Sequence, residues 1–311
     1  MKKISLLLLS AALSMGVYAQ KMDKTSWSDG EMGIYCYEND GTTFTFSVGY
    51  AHEGGADLKL RKVKENVFEA VNPDAYKYGA TYVKATLKTI NCPGSGITKY
   101  LYFEDKNGKM LGVMPQLTDD YSGETIETDV LAGTYKGSDG KTYIFSGKSL
   151  IINGQSSDIE PLKCEMGYVN GFKYKGQKYC FRISENGVNL YTTTTDDGEF
   201  EYEPEKLWVK LTIDQEKNQG RWAITKNKIV MSGYVGYFSK SLCRVMRNEI
   251  YARHGYNFAS ADLKAHFSKM SWYKPVADNS KIQLSELEQL NIAILKLCED
   301  TFTWSSDNIE K

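Results

Sequence analysis

From about residue 31 to 212 the apolar positions alternate with polar ones in short runs separated by turn dipeptides, the pattern of half-buried β-strands. Asn39-Asp40-Gly41-Thr42-Thr43-Phe44-Thr45-Phe46-Ser47 sets a turn before alternating aromatic and polar residues, and Ser138-Asp139-Gly140-Lys141-Thr142-Tyr143-Ile144-Phe145-Ser146 repeats that order. A second echo pairs Tyr100-Leu101-Tyr102-Phe103 before Asn107-Gly108 with Tyr179-Cys180-Phe181 before Asn186-Gly187. Asn-Gly and Asp-Gly in this setting favour type I′ hairpin turns, in which both central residues take positive φ. Further strands are expected at Leu58–Lys62, Tyr82–Ile90, Ser149–Ile152, Phe172–Tyr174 and Leu207–Thr212. Two organisations fit: a pair of small antiparallel units related by duplication and meeting near residues 128–133, or one larger sandwich or barrel. The stretch from Gly133-Thr134-Tyr135 to Trp208-Val209-Lys210-Leu211 loosely resembles a lipocalin-like meander.

Beyond a polar connector at 214–236, in which Arg221 to Val230 reads as one more strand, the period changes to that of a helix. A first helix is predicted from Ser239 or Ser241, burying Leu242, Val245, Met246 and Ile250. A second runs from Ser260 with Leu263, His266, Phe267 and Met270 on one face. A third opens on the capping box Ser285-x-x-Glu288 and carries Leu287, Leu290, Ile294 and Leu297, with Asn291 and Cys298 beside them. The fold class expected is therefore α+β: tandem antiparallel β units, each a small barrel or sandwich, then a small three-helix C-terminal domain. The expected divisions are a β domain at 20–130, a meander at 131–213, the connector, and a helical domain at 237–305.

Lys2 and Lys3 followed by the apolar run Ile4 to Val17, with Val17-Tyr18-Ala19 before Gln20, read as a Sec-type signal peptide over residues 1–19 without a lipobox cysteine. The expected location is periplasmic or extracellular. Six cysteines, Cys36, Cys92, Cys164, Cys180, Cys243 and Cys298, suit an oxidising compartment. Connectivity is open, and pairing of sequence neighbours, 36–92, 164–180 and 243–298, gives one bridge per unit. Buried thiols are the competing reading. None of the six has metal-ligand spacing, and no metal or cofactor is expected. A net charge of −1 and a pI near 6.4 give no electrostatic reason to expect nucleic acid.

The most specific segment is Arg247-Asn248-Glu249-Ile250-Tyr251-Ala252-Arg253-His254-Gly255. It is followed by Leu263, Phe267, Trp272-Tyr273-Lys274-Pro275, Leu284-Ser285, Glu288 and Asn291-Ile292. Over roughly 238–300 this resembles the YARHG domain family, an extracytoplasmic bacterial module. The resemblance implies a module and a compartment, not a reaction. Read residue by residue, Gly255 is a helix-ending C′ glycine, and Glu249 with Arg253 an i,i+4 ion pair worth a few tenths of a kcal/mol if exposed. Asn248 and Glu249 are placed to satisfy loop backbone around Tyr256-Asn257-Phe258. The functional alternative gathers Tyr251, Arg253, His254, Trp272 and Tyr273 into one aromatic and basic groove able to stack on a sugar and grip a carboxylate.

Catalytic signatures fail. Gly140-Lys141-Thr142 and Gly147-Lys148-Ser149 lack the upstream glycines of a P-loop, and no G-x-S-x-G or H-E-x-x-H occurs. Of the three histidines, His52 reads as a loop residue and His266 as core packing. Two acidic clusters, Asp119-Asp120 with Glu124, Glu127 and Asp129, and Asp196-Asp197-Gly198-Glu199 with Glu201, Glu203 and Glu205, miss the EF-hand spacing. The expected function is a non-catalytic cell-envelope binding or adaptor protein for a glycan or protein partner. The alternatives are an envelope glycan hydrolase with carboxylates on the β units, or a purely structural module.

Overall fold

The computed structural model describes residues 22–30, 32–50, 57–118, 130–162, 170–195, 202–235 and 238–301. The expected signal segment, His52, Cys164, the 119–129 acidic cluster and residues 196–201 of the second cluster lie outside them. Chain contacts define two compact units, Met1–Thr89 with Thr98–Leu117, and Ile90–Ile97 with Thr118–Lys311.

The first unit is built on an eight-stranded antiparallel sheet in strict chain order: β1 (Ser26–Ser28), β2 (Met32–Asn39), β3 (Thr43–Tyr50), β4 (Leu58–Lys64), β5 (Val67–Ala70), β6 (Lys84–Cys92), β7 (Gly96–Glu104) and β8 (Met110–Pro115). A bridge between Trp27 and Gln116, and a Leu117 N–H to Ser26 carbonyl bond of 2.8 Å, bring the last strand back to the first. The alternate residues Ile34, Cys36, Phe44, Phe46, Leu58, Leu60, Leu101 and Phe103 fill its interior around Trp27.

The second unit begins with a closed barrel, again in chain order: β9 (Gly133–Gly137), β10 (Thr142–Ser146), β11 (Ser149–Ile152), β12 (Gln155–Pro161), β13 (Gly171–Tyr174), β14 (Gln177–Ser184), β15 (Gly187–Thr192) and β16 (Lys206–Ile213). Leu211↔Gly137 and Ile213↔Tyr135 pairs close it. Period-2 burial puts Tyr135, Phe145, Leu150, Ile159, Phe172, Phe181, Ile183, Val188, Leu190, Val209 and Leu211 in its core. Two tandem antiparallel β units thus precede the helices.

The turns differ from the type I′ expectation. At Asp40-Gly41, Asn107-Gly108 and Asp139-Gly140 only the glycine has positive φ, at 91, 77 and 77°. These loops are longer than two residues, and an Asp side chain organises each: Asp40 Oδ1 accepts from the N–H groups of Thr42 and Thr43 at 2.8 and 2.7 Å, and Asp105 and Asp139 act likewise. Positive φ at both residues occurs instead at Asn153-Gly154 and Lys175-Gly176.

Five helices follow: α1 (Ile224–Asn227), α2 (Ser232–Val235), α3 (Lys240–Arg253), α4 (Ala261–Phe267) and α5 (Glu286–Thr301). Arg221 to Val230, expected as a strand, turns through α1, because its backbone groups are taken by side chains of α3 and α5 and not by a neighbouring strand. Ser239 caps α3, its Oγ accepting from Leu242 N–H at 3.1 Å. In the capping box of α5, Ser285 N–H donates to Glu288 Oε2 at 3.0 Å and Glu288 N–H to Ser285 Oγ at 3.2 Å. The α4 helix stops at Phe267, short of Met270, and the buried face of α5 uses Leu295 where Leu297 was expected.

No disulfide joins the described cysteines, contrary to the 36–92 and 243–298 expectation. Backbone carbonyls take the thiols instead: Cys36 Sγ donates to Glu38 O at 3.7 Å, Cys243 to Val235 O at 3.4 Å and Cys298 to Ser232 O at 3.8 Å. Burial, with Asp23 adding to it, pushes the Cys36 thiol up to about 11. The 164–180 pairing lies outside the described residues. No helix among them is long and apolar enough to cross a membrane.

Candidate functional site

The last turn of α3 is where the motif residues sit, and local chemistry explains its shape. Gly255, at φ 77°, carries a Schellman ending: Tyr256 N–H donates to Tyr251 O at 3.1 Å and Gly255 N–H to Ala252 O at 2.9 Å. Glycine is also needed for space, since a Cβ there would lie 2.5 Å from the Lys274 carbonyl oxygen.

One turn earlier Glu249 points inward. Its carboxylate accepts from Arg221 N–H at 2.6 Å and Trp222 N–H at 2.8 Å, and from Arg253 Nη1 at 3.1 Å. Arg253 goes on to Trp222 O at 3.4 Å and Thr225 Oγ1 at 2.6 Å. Both charged side chains are only 5% exposed. The pair is therefore a buried clamp on residues 220–225 rather than a surface i,i+4 bridge. Burial pulls the Arg253 guanidinium below its ordinary value, against Glu249 and Glu288, which favour its charge. Gly220, at φ 102°, leaves room for the carboxylate.

Neighbouring side chains complete the clamp. Asn291, fully buried on α5, accepts from Val230 N–H at 2.9 Å and donates to Thr225 O and Lys228 O at 2.8 and 2.9 Å. Asn248 donates to Arg244 O on its own helix at 2.8 Å. The Tyr256–Phe258 loop takes its partners elsewhere, from Asn279 (2.7 and 3.0 Å) and from the Tyr273 hydroxyl donating to Tyr256 O at 2.7 Å.

The five residues expected in one groove go three ways. Arg253 faces Glu249 and α1. His254 Nε2 lies 2.8 Å from Glu288 Oε1, tying the end of α3 to the start of α5. Burial alone would raise Glu288, but the His254 and Ser285 hydrogen bonds outweigh it and hold the carboxyl below its usual range. Tyr251, Trp272 and Tyr273 are half-buried against Phe258, Leu263 and Phe267 in a small aromatic core. In it Phe258 stacks on Phe267 with centroids 5.1 Å apart. His266 packs edge-on against Phe267 at 4.7 Å, with Nδ1 3.4 Å from Glu185 in the β14–β15 turn.

Two groups escaped the sequence reading. Arg221 and Trp222, at the barrel's exit, are buried in a segment whose alternation looked like a strand. At the opposite strand ends of the barrel, Trp208 meets Tyr143, Tyr174 and Tyr179 with centroids 6.0, 5.8 and 4.3 Å away. A register shift at Leu190/Tyr191, opposite β16, accompanies the inward turn of Trp208. The Tyr143 hydroxyl donates to Asp139 Oδ2 at 2.9 Å, and burial with that bond pushes its ionisation far up. Among the described residues no set of His, Cys, Asp and Glu gathers to hold a metal ion.

With this geometry in place, the family comparison locates the motif region: the family model of the YARHG domain matches residues 236–300, which span α3, α4 and α5. No curated protein matches the chain.

Proposed function

We propose that the chain is an exported, non-catalytic binding or adaptor protein of the cell envelope, with its YARHG domain as an architectural end-piece and its partner a glycan or an envelope protein. The observation that carries this reading is the commitment of the motif's charged groups: Glu249 and Arg253 are spent on the backbone and side chains of 220–225, and His254 on Glu288. What stays partly open is aromatic. Tyr251, Trp272 and Tyr273 offer one half-buried surface, and Trp208 with Tyr179 at the barrel end offers another. Of the two, the Trp208 end supports sugar stacking better, because Tyr174 and Tyr179 hold the half-buried Trp208 in place at 5.8 and 4.3 Å between centroids.

The test is retention of the purified chain on peptidoglycan sacculi and on immobilised envelope proteins, beside the Trp208→Ala and Trp272→Ala variants. Retention that falls about tenfold in Trp208→Ala, the loss expected for one stacked ring of about 1–2 kcal/mol, supports the reading. Absence of binding to either material by the unaltered chain would refute it.

A further inference from the structure

Arg221 lies at the junction between β16 and α1, with only 3% of its surface exposed. Its guanidinium packs against two aromatic rings, Trp222 at 4.4 Å and Tyr135 at 5.4 Å from the ring centroids. One donor, Nη1, reaches Val130 O at 3.1 Å. The opposite edge, Nε with Nη2, is buried and has no hydrogen-bond partner, and neither Trp222 Nε1 nor Arg253 Nε has one.

Charge counting sharpens the question. Arg221 and Arg253 are two buried cations, and among the described residues Glu249 is the buried carboxylate that bonds this segment, through the Arg221 and Trp222 N–H groups and the Arg253 side chain. Glu288 is turned to His254 and Ser285, Asp214 to Lys136 at 3.4 Å, and the Tyr135 hydroxyl to Leu131 O. A buried guanidinium edge left open costs the desolvation of two N–H donors, and an uncompensated buried charge costs more. The Nε–Nη2 edge is also the fork that best fits a small acceptor bidentately.

We infer that this edge of Arg221 holds a small monovalent anion, of chloride or formate size, that completes the charge balance where the barrel meets the helices. The two unpartnered donors, Nε and Nη2, set where the ion sits, and burial admits nothing as large as a phosphorylated sugar.

Thermal unfolding of the full chain in sodium chloride, bromide, formate and gluconate at one ionic strength tests this. A higher Tm in the small anions than in gluconate, by about 4 °C for an ion well above its Kd, is the expected result, and the better of halide or formate names the ion class. Arg221→Gln should erase the difference. Should that variant not fold, crystals of the unaltered chain grown in bromide decide: an anomalous peak within hydrogen-bonding distance of Nε and Nη2 is expected. Equal Tm in all four salts, or density there for water alone, would overturn the inference.

Discussion

Within the second unit, the barrel and the helices that follow it reach order by different means. Along β9–β16 the polar groups are mostly backbone and pair strand to strand, while the interior is a run of apolar and aromatic side chains such as Phe145, Phe172, Leu190 and Val209. Around α3 and α5 residues such as Trp222, Phe238, Met246, Ile250 and Leu295 make an apolar core, but the connecting backbone is held by buried polar side chains: Glu249, Arg253, Asn291 and Glu288. The contrast follows from size. A small helical domain buries too little apolar area to fix its loops by packing alone, and a satisfied polar network supplies one defined arrangement at the risk that any missing partner is expensive.

The largest expected effect comes from breaking that network. Glu249→Ala leaves the buried Arg253 cation without its carboxylate and the Arg221 and Trp222 N–H groups without an acceptor, and should cost about 3–5 kcal/mol. Urea unfolding followed by far-UV circular dichroism would measure it; a loss below 1 kcal/mol would contradict the burial of the pair.

Asn291→Ala removes three hydrogen bonds at once and should cost roughly 2–4 kcal/mol. Leu190→Met in the barrel, a change of similar modesty in volume, should cost less than about 1.5 kcal/mol. Equal costs for the two would erase the contrast between the regions.

The smallest effect is a dependence on pH. Glu288 has a folded-state value below its ordinary one. Its stabilising contribution is therefore complete above the ordinary carboxyl range and is lost as pH falls through the depressed folded value. Glu288→Gln should flatten that part of the stability profile for the helices, and an unchanged profile would show that His254 and Ser285 contribute nothing to it.

What was legible in the chain was local. Ser239 and the Ser285–Glu288 box announce helix starts because a cap is satisfied within three residues, and the alternation at Thr43–Ser47 states its own period. The 221–230 segment misled for the opposite reason. Its backbone partners, Glu249 and Asn291, lie 28 and 61 residues away, and no local pattern marks them. The i,i+4 spacing of Glu249 and Arg253 was plain, but its burial was not, since the covering residues 220–225 come from outside the helix. Turn type depended on loop length, which the Asp-Gly dipeptide does not specify.

The central claim, that the Tyr-Ala-Arg-His-Gly run works as a buried clamp, is tested most directly by a double-mutant cycle on Glu249 and Arg253 in denaturant unfolding. A buried clamp gives a coupling of about 2 kcal/mol or more, as for a desolvated pair with shared partners. A coupling of about 0.3–0.5 kcal/mol, the value of an exposed i,i+4 pair, would contradict it.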